Sequence, residues 1–493
     1  MEELNYKIIN KGWYLQLDID DEFLFNHLEN KFSYESKNDI YLKKFYPNVK
    51  TKKSVFNKKT KRIPSGCYKE LLKTLNDYAE FRKKKMEINY IDERNFNKES
   101  IGIIPPFDLD LFDHQVVAIL SFLNSKYKNN ILNMATGSGK TIAALEIIRH
   151  LNMKTIFIVH RKLLYNQTLK KMKELFPGIE IGEICAGKFN PKELTVAMIK
   201  SIESKAEKHK DYLESVRFVV MDEVHNVPSM TYFKVNKYFK NKEFTLGLSA
   251  TPYRDDGLDL LINAISGYTC YKIDSKTLIA RGKLVQPEIR FITNYDNTNF
   301  KLKEKEIEFI FEEKCQQNLI NNDLEKTKER KKSILYNLYN NVFIINNEER
   351  NNKIGEIIAQ NKDKKILILV KFVKHGKILS ETYSIPYISG SLNKKTRTQI
   401  MDDFMSDKIN CLIGTYSIFS EGIDIPKINL VFNITGNAGK VKTLQMLGRG
   451  LRTSEKKNTI IYYDFLDEYK FFKAASYKRM RAFKKEGYKI EKV

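Results

Sequence analysis

A glycine-containing loop between an apolar run and a helical stretch constrains the fold of this chain more than any other feature. Residues 133–141 read Asn-Met-Ala-Thr-Gly-Ser-Gly-Lys-Thr, and residues 142–150 continue with a helical pattern. Gly137 and Gly139 allow the backbone to bend so that successive N–H groups face one bound anion. The start of the helix adds the positive end of its dipole. This strand–loop–helix order predicts a parallel α/β sheet with a phosphate-binding loop at the carboxyl end of one strand.

The side chains of this loop predict a nucleoside triphosphate with Mg²⁺ as the ligand. Lys140 is placed to reach the terminal phosphates, and the Thr141 hydroxyl is placed to ligate the metal ion. Met134 occupies the first position of the usual pattern, where glycine is the rule. The candidate ligand-binding residues of the loop are Thr136, Gly137, Ser138, Gly139, Lys140 and Thr141.

A pair of acidic residues follows a second apolar run. The sequence Asp-Glu-Val-His at residues 222–225 comes directly after the strand-like residues 218–221. Two acidic residues at such a position are often an ordinary solvated strand end. With a phosphate-binding loop upstream, we expect Asp222 to hold the hydrated Mg²⁺ and Glu223 to orient and deprotonate an attacking water.

Apolar runs along the 493 residues predict more than one domain. Runs at residues 155–159 and 218–221, and again at 366–370, 411–414 and 429–434, alternate with helical stretches, which is typical of parallel sheets covered on both faces. We therefore expect an α/β protein with two tandem parallel-sheet lobes and a small α+β N-terminal domain. The predicted boundaries are 1–95 for the N-terminal domain, 101–290 for the first lobe, 291–345 for a helical inter-lobe connection, and 346–493 for the second lobe with a basic C-terminal helix.

Charge and cysteine usage narrow the class of protein. The net charge of +24 favours a polyanionic partner, although a lysine-rich coding bias also raises it. The five cysteines are dispersed without a C-x-x-C pair, which argues against a zinc site, an iron–sulfur cluster or a secreted disulfide framework. No run approaches the ~20 apolar residues that span a bilayer, and the first residues lack the pattern of a signal peptide. These features predict a cytoplasmic protein that does not act at a membrane.

A basic stretch in the N-terminal region is the candidate nucleic-acid-binding surface. Phe45, Tyr46 and Phe56 are interleaved with the lysines, a pattern that suits phosphate contacts combined with base or sugar packing. A solvated charged face is the alternative interpretation. The lysines expected to contact nucleic acid are Lys52, Lys53, Lys58 and Lys59.

Two further blocks are weak signals when each is taken alone. Residues 248–257 contain mostly turn-forming types. Residues 445–452 place Arg449 and Arg452 three positions apart, on one helix face. Such guanidinium groups can neutralise phosphate charge in a transition state, and the alternative is a basic pair on the surface.

Taken together and in this order, the blocks resemble the superfamily-two helicases over residues 112–452. The resemblance implies two RecA-like lobes, ATP and Mg²⁺ as cofactors, and ATP hydrolysis coupled to movement along nucleic acid. It implies that Gln115 contacts the adenine base and that Gly422 and Asp424 lie at the nucleotide. It also implies roles for two more sets. The catalytic set is Lys140, Glu223, Gln445, Arg449 and Arg452, and the coupling set is His225, Ser249 and Thr251.

The same resemblance implies contacts with a nucleic-acid strand in both lobes. Residues 159–167 and 196–202 resemble strand-contacting blocks of the first lobe, and residues 417–426 resemble the block of the second lobe that touches both ATP and nucleic acid. The implied strand contacts are Arg161, Gln167, Ser201, Lys371, Thr415 and Tyr416.

Within the superfamily, the chain resembles the phage UvsW-type branch-migration helicases. Residues 370–377 with 387–390, residues 349–351, and residues 32–34 with 63–66 carry this resemblance. It implies ATP-dependent remodelling of branched DNA: fork regression, branch migration, and R-loop or D-loop unwinding. The implied partners are branched DNA, duplex–single-strand junctions and RNA–DNA hybrids, and a monomer is expected.

Three alternatives stay open from the sequence. One is an RNA helicase, and another is the translocase of a restriction-type complex, since residues 249–257 resemble those proteins too. The third is not an enzyme: a nucleic-acid clamp that ATP binding switches. The presence of Glu223, Arg449 and Arg452 argues against the clamp, because a pure switch does not need all three.

Overall fold

The computed structural model describes two compact units, Met1–Asp274 and Ser275–Val493. The described residues are 3–36, 39–40, 43, 51–95, 100–102, 104–226, 230–251, 257–293, 300–317, 324–419, 428–436 and 459–493. The first unit holds a small α+β domain and an eight-stranded sheet, and the second unit holds a seven-stranded parallel sheet. The predicted fold class, two parallel-sheet lobes behind a small α+β domain, is confirmed.

The N-terminal domain is built on a four-stranded sheet. Its strands are β1 (Glu3–Asn10), β2 (Tyr14–Asp18), β5 (Arg62–Pro64) and β6 (Lys85–Asp92), in the order β5-β2-β1-β6, and a second ladder joins β3 (Ser33–Tyr34) to β4 (Lys53–Ser54). Burial alternates along β1, which gives the sheet one buried face. The helices α1 (Glu22–Lys31) and α2 (Tyr68–Phe81) bury Leu24 and Leu71 in the same core as Ile8.

This domain is docked closely on the first lobe. The core of the domain includes Ala264 of the lobe, and Leu260 packs against it. A Cβ at Gly12 would lie 1.8 Å from the carbonyl oxygen of Lys240, and a Cβ at Gly66 would lie 2.3 Å from that of Asn263. Backbone meets backbone at both places, so the domain and the lobe form one body.

The sheet of the first lobe has the order β10-β9-β11-β8-β12-β13-β7-β14. Only β9 and β10 are antiparallel among the described pairs. The strands are β7 (Asn129–Met134), β8 (Thr155–Val159), β9 (Ile181–Cys185), β10 (Lys188–Asn190), β11 (Leu194–Met198), β12 (Phe218–Asp222), β13 (Phe244–Ser249) and β14 (Tyr268–Ile273). The helices are α3 (Asp113–Leu123), α4 (Lys140–Leu151), α5 (Lys162–Leu175), α6 (Ile199–Glu203), α7 (Lys210–Ser215), α8 (Met230–Asn236) and α9 (Asp259–Ser266). A 3₁₀ turn spans Val224–Asn226 in this lobe, and another spans Ser65–Cys67 in the N-terminal domain.

The second unit has a parallel sheet in the order β17-β18-β16-β19-β20-β15-β21. The strands are β15 (Gln286–Ile292), β16 (Ile366–Val370), β17 (Tyr387–Ile388), β18 (Cys411–Thr415), β19 (Leu430–Asn433), β20 (Thr459–Phe465) and β21 (Lys489–Lys492). The helices are α10 (Ser275–Ala280), α11 (Phe300–Gln317), α12 (Leu324–Asn340), α13 (Glu348–Gln360), α14 (Val373–Tyr383), α15 (Lys394–Met405), α16 (Tyr416–Phe419) and α17 (Lys473–Lys485), with a π-helical turn at Asn341–Ile345.

The predicted boundary between the lobes is wrong by the helix α10 and most of the strand β15. Residues 275–290 were assigned to the first lobe, but they belong to the second unit, where β15 pairs with β20 and β21. The segment between β15 and β16, which carries the helices α11 and α12, is therefore an insertion within one sheet and not the inter-lobe connection predicted for residues 291–345. Ile307 of this insertion is buried and packs in one cluster with Phe472.

Candidate functional site

Three neighbouring strands bring the predicted chemical groups to one edge of the first sheet. Strand β13 lies between β7 and β12, and its register pairs Ser249 with Asn133 and Leu248 with Asp222. The loop at residues 135–139, Ser249 and Asp222 therefore all leave the sheet at its carboxyl edge. This is the edge at which open α/β sheets bind their ligands.

The backbone of the loop requires its glycines. Gly137 and Gly139 have φ values of +86° and +82°, in the left-handed region. A Cβ at Gly139 would lie 2.0 Å from Nε2 of Gln115. Helix α4 begins at Lys140, immediately after the loop, so the positive end of a twelve-residue helix points at the loop. The conformation fits the predicted polyphosphate ligand.

Two side chains at the start of α3 hold this loop. Oε1 of Gln115 accepts a hydrogen bond of 2.8 Å from the backbone N–H of Phe112, and Nε2 of Gln115 donates one of 3.3 Å to the carbonyl of Ser138. Nε2 of the buried His114 lies 2.9 Å from the same oxygen. The contact of Gln115 with adenine stays a prediction. His114 was missed because its burial cannot be read from sequence, although it directly precedes Gln115.

The acidic pair lies on an unusual turn. Asp222 ends β12, and Glu223 has a φ of +51°, which few residues other than glycine adopt. The backbone N–H of Glu223 donates a 2.9 Å hydrogen bond to Oδ1 of Asp222. Such local strain persists where the surrounding structure enforces it, commonly at functional sites. The turn changes the direction of the chain between the two carboxylates.

The three predicted coupling residues are connected to Glu223. Nδ1 of His225 lies 3.4 Å from Oε2 of Glu223 and 3.5 Å from Oγ of Ser249, at the outer limit of a hydrogen bond. Ser249 is buried, and its Oγ accepts a 3.1 Å hydrogen bond from the backbone N–H of Thr251. A continuous set of contacts thus leads from the candidate water-activating carboxylate into the segment after β13.

The predicted strand contacts of the first lobe lie along the same edge. Arg161 follows β8 and is the residue before α5, and Ser201 lies in α6 after β11. Because β8 and β11 are neighbours, these two residues share the carboxyl edge with the loop. Arg161 and Gln167 are exposed. Oγ of Ser201 accepts a 3.3 Å hydrogen bond from the N–H of Ala186.

In the second unit, the predicted strand contacts again follow neighbouring strands. Lys371 follows β16, Thr415 ends β18, and the register pairs Val370 with Thr415. Nζ of Lys371 donates a 2.6 Å hydrogen bond to the hydroxyl of Tyr336 in the helical insertion, a contact that the sequence did not indicate. Tyr416 is half-buried. The predicted residues Gly422, Asp424, Gln445, Arg449 and Arg452 lie outside the described residues.

The basic stretch of the N-terminal domain is only partly available for phosphate contacts. Lys53 forms an ion pair with Asp39 at 3.4 Å, and Lys58 forms one with Glu22 at 3.0 Å. The exposed residues Lys52 and Lys59 form no ion pair among the residues described. The expected availability of Phe56 for base packing is contradicted: its side chain is 2% exposed and packs in the core of this small domain. Phe45 and Tyr46 lie outside the described residues.

The residues present suit a magnesium ion carried in with a phosphate ligand. Among the described residues, no group of three or more His, Cys, Asp or Glu side chains is arranged to hold a metal ion. Mg²⁺ bound to nucleotides needs no such cage, because phosphates and waters supply most of its ligands. Thr141 and Asp222 are the protein ligands that fit.

No helix in the described ranges is long and apolar enough to cross a membrane.

Comparisons with known proteins place these elements in context. A family model described as "Type III restriction enzyme, res subunit" matches residues 108–254, and one described as "Helicase conserved C-terminal domain" matches residues 349–454. The DNA 3′-5′ translocase XPB2 of Sulfurisphaera tokodaii is 28% identical over 369 residues, which cover 72% of this chain and 81% of that protein. The first match falls on the first sheet and the second on the sheet of the second unit.

Among the solved structures that this chain resembles, LlaBIII shows the shared fold. The DNA-bound Type ISP restriction-modification enzyme LlaBIII matches with a TM-score of 0.57 and 13% identity, covering 85% of this chain and 36% of that one. This chain therefore spans about a third of LlaBIII. The structure of UvsW from bacteriophage T4 matches 99% of both chains with a TM-score of 0.45 and 17% identity. The two-lobe RecA-like architecture implied by the sequence is confirmed.

Proposed function

This chain belongs to the superfamily-two helicases, which are ATP hydrolases, and from that premise we propose that it is a DNA translocase that remodels branched DNA. The observation that carries the proposal is the docking of the N-terminal domain on the first lobe through Gly12 and Gly66. A lysine-bearing domain held in this way moves together with the ATP-binding lobe. DNA held by the domain is then displaced with each cycle of that lobe.

ATP with Mg²⁺ supplies the phosphoryl transfer whose free energy drives the cycle. In our proposal, Lys140 neutralises phosphate charge, and Thr141 and Asp222 hold the metal ion. Glu223 orients the attacking water and accepts its proton. The left-handed loop glycines and the donors around them support this assignment. We propose Gln445, Arg449 and Arg452 as the further residues that stabilise the transition state.

The likeness to the DNA 3′-5′ translocase XPB2 of Sulfurisphaera tokodaii supports DNA over RNA as the substrate. We propose Arg161, Gln167 and Ser201 of the first lobe as strand contacts, with Lys371, Thr415 and Tyr416 of the second unit. Most such contacts are with phosphates, so binding is independent of base sequence and weakens as salt rises. The monomeric state, the RNA–DNA hybrids and the cytoplasmic location stay predictions.

A second candidate function is the translocase of a restriction-type complex. The res-subunit family model over residues 108–254 and the likeness to LlaBIII favour it. The two functions are separated by ATP turnover measured with RNA, single-stranded DNA, linear duplex and a model fork, followed by regression of that fork. The proposed function requires the fork to stimulate most and to be regressed. If linear duplex stimulates ATP turnover as much as the fork does, and the fork is not regressed, the restriction-type translocase is favoured.

We expect Ser249→Ala to separate ATP turnover from DNA remodelling. The substitution removes the hydroxyl that receives the N–H of Thr251 and lies beside His225, while it leaves Lys140 and Glu223 in place. We expect turnover to stay within about threefold and fork regression to fall about tenfold or more, the range typical for loss of a buried hydrogen-bonded group. Both rates are measured on the same protein preparation.

The matched control is Ser266→Ala. Ser266 is equally buried in the same unit, and its hydroxyl makes no hydrogen bond with any described residue. We expect this control to behave as the native protein in both assays. Parallel losses of turnover and regression in Ser249→Ala would show that Ser249 supports the fold or the chemistry, not coupling.

We expect Lys52→Gln with Lys59→Gln to weaken fork binding about tenfold and to lower the slope of log affinity against log salt by roughly two, because each phosphate contact contributes nearly one. Substitution is preferable to deleting the domain, since deletion would expose Leu260 and Ala264. The control is Lys73→Gln with Lys83→Gln, two exposed lysines of the same domain. Equal salt slopes for both double variants would reject a duplex-binding role for this stretch.

A further inference from the structure

A cavity of about 260 Å³ lies where the N-terminal domain meets the first lobe. The N-terminal domain contributes Ser65, Tyr68 and Lys69, and the first lobe contributes Lys126, Tyr127 and Lys128. We call this cavity the junction pocket. Since both halves belong to the same compact unit, its walls hold a fixed relation to one another.

The junction pocket is separate from the candidate ATP site. Residues 126–129 lead into β7, and Lys242 and Glu243 lead into β13, so the lobe's contribution lies at the amino ends of these strands. The phosphate-binding loop and Ser249 lie at their carboxyl ends. A ligand of the junction pocket therefore occupies the opposite edge of the sheet.

Positive charge in the junction pocket exceeds what the protein neutralises. Asp92 forms an ion pair with Arg94, and Glu243 forms one with Arg217, which does not line the pocket. Four further lysines line its walls: Lys69, Lys126, Lys128 and Lys242. Within the described ranges, none of Lys69, Lys126 and Lys128 forms an ion pair with a carboxylate. A concave surface with surplus cations concentrates anions.

Two buried polar residues belong to the wall of the cavity. Ser65 is 5% exposed, and its hydroxyl oxygen is closed off from the cavity and makes no hydrogen bond within the part of the chain described. Lys242 is also buried, and Nζ donates a 2.9 Å hydrogen bond to Asn236. Burial, with a contribution from Arg94, lowers the pKa of Lys242 to about 7.

Aromatic rings line the cavity beside the cations. The ring of Tyr68 lies 5.4 Å from that of Tyr90 and 6.4 Å from that of Tyr127, measured between centroids. Nζ of Lys69 lies 5.7 Å, and Nζ of Lys126 lies 5.2 Å, from the ring centroid of Tyr127. Flat rings beside lysines are the combination that binds a base together with its phosphate.

We propose that the junction pocket binds a phosphate-bearing nucleotide, either free or as the terminal unit of a strand. Lys69, Lys126 and Lys128 hold the phosphate, and the base packs against the tyrosines. The volume lies just below the ~300–1,000 Å³ of sites that enclose a whole small molecule, which suits one nucleotide unit. This site does not depend on the proposed branched-DNA activity.

The test compares Lys126→Ala with Lys128→Ala against the control Lys208→Ala with Lys210→Ala. Both pairs are exposed, lie two positions apart on the first lobe and remove the same charge. All proteins are full-length and carry Lys140→Ala, which suppresses binding at the phosphate loop. The probes are thymidine 5′-monophosphate, inorganic phosphate, and a short oligothymidylate with and without a 5′-phosphate.

We expect the junction variant to lose about tenfold or more in affinity, because each charge-assisted contact contributes on that scale. The control should bind as the parent does. If the junction variant loses affinity for both the monophosphate and the phosphorylated oligonucleotide, the pocket binds free nucleotides. If it loses affinity for the phosphorylated oligonucleotide alone, the pocket binds the end of a strand.

Two results would overturn the proposal. One is the same affinity in the junction variant and the control for every probe. The other is inorganic phosphate binding as tightly as the monophosphate, which would leave the rings without a role. Fork regression by the protein with Lys140 restored is measured separately, so that a failure of the proposed remodelling activity is distinguishable from a failure of this site.

Discussion

Glu223→Gln is expected to lower DNA-stimulated ATP turnover by about 10²–10⁴-fold, the range associated with loss of a general base. Glutamine has nearly the same shape as glutamate but cannot accept the proton of the attacking water. The residue would keep its left-handed turn after β12 and its place beside His225. Steady-state turnover with a model fork measures the effect, and binding of a non-hydrolysable ATP analogue is expected to be unchanged.

Two further variants are measured for comparison with Glu223→Gln. Lys140→Ala should lose turnover and also weaken binding of the ATP analogue, because Lys140 is proposed to contact the phosphates themselves. Glu207→Gln, at an exposed carboxylate that accepts a hydrogen bond from Tyr238, should leave both measurements unchanged. Normal turnover by Glu223→Gln would remove this residue from the proposed chemistry.

Arg479→Met is expected to destabilise the second unit by about 3–5 kcal/mol, because it leaves the buried carboxylate of Asp464 without its cationic partner. Arg479 and Asp464 are both fully buried. Nε and Nη2 of the guanidinium contact the two carboxylate oxygens at 2.7 and 2.8 Å, and Nη1 donates to the carbonyl of Gly436 at 3.2 Å. Hydrogen exchange of the amides in β19 and β20 reports the stability of this sheet without requiring the whole chain to unfold in one step.

The control lies two positions away on the same helix. Arg481→Met replaces an exposed arginine whose Nε donates a 3.4 Å hydrogen bond to the carbonyl of Tyr477. It should change the hydrogen exchange of the amides in β19 and β20 little. Combining Arg479→Met with Asp464→Leu should recover part of the loss, since no carboxylate is then left unpaired. Equal protection in Arg479→Met and Arg481→Met would contradict a stabilising role for the pair.

Local chemistry explains why the strand-end positions of the candidate ATP-site residues could be predicted from the sequence. The loop glycines, Lys140 and the acidic pair each follow an apolar run directly, so their position at a strand end is encoded within about ten residues. The grouping of Ser249 with His225 depends on β13 lying between β7 and β12. Strand order is not local information, and only the resemblance to a family indicated this grouping.

Features that depend on contacts distant in sequence could not be predicted. The apolar pattern of Phe56 is equally compatible with base packing and with the core of a small domain. Gly12 and Gly66 look like ordinary turn glycines until their neighbours Lys240 and Asn263 are known. Arg479 belongs to the C-terminal helix that was predicted to be basic. Its guanidinium group is buried and forms an ion pair with Asp464 inside the protein.

The placement of β15 bears on how the polypeptide is made. Arg290 of this strand donates a hydrogen bond to Tyr463 of β20, which is 173 positions later in the sequence. At the ~5–20 residues per second of ribosomal synthesis, an apolar strand waits roughly 10–30 s for its partner. The ATP-binding half can finish folding during that interval, whereas the other half stays open to misassembly. Nascent-chain chaperones are therefore expected to engage this protein through residues 286–292, before the second sheet closes.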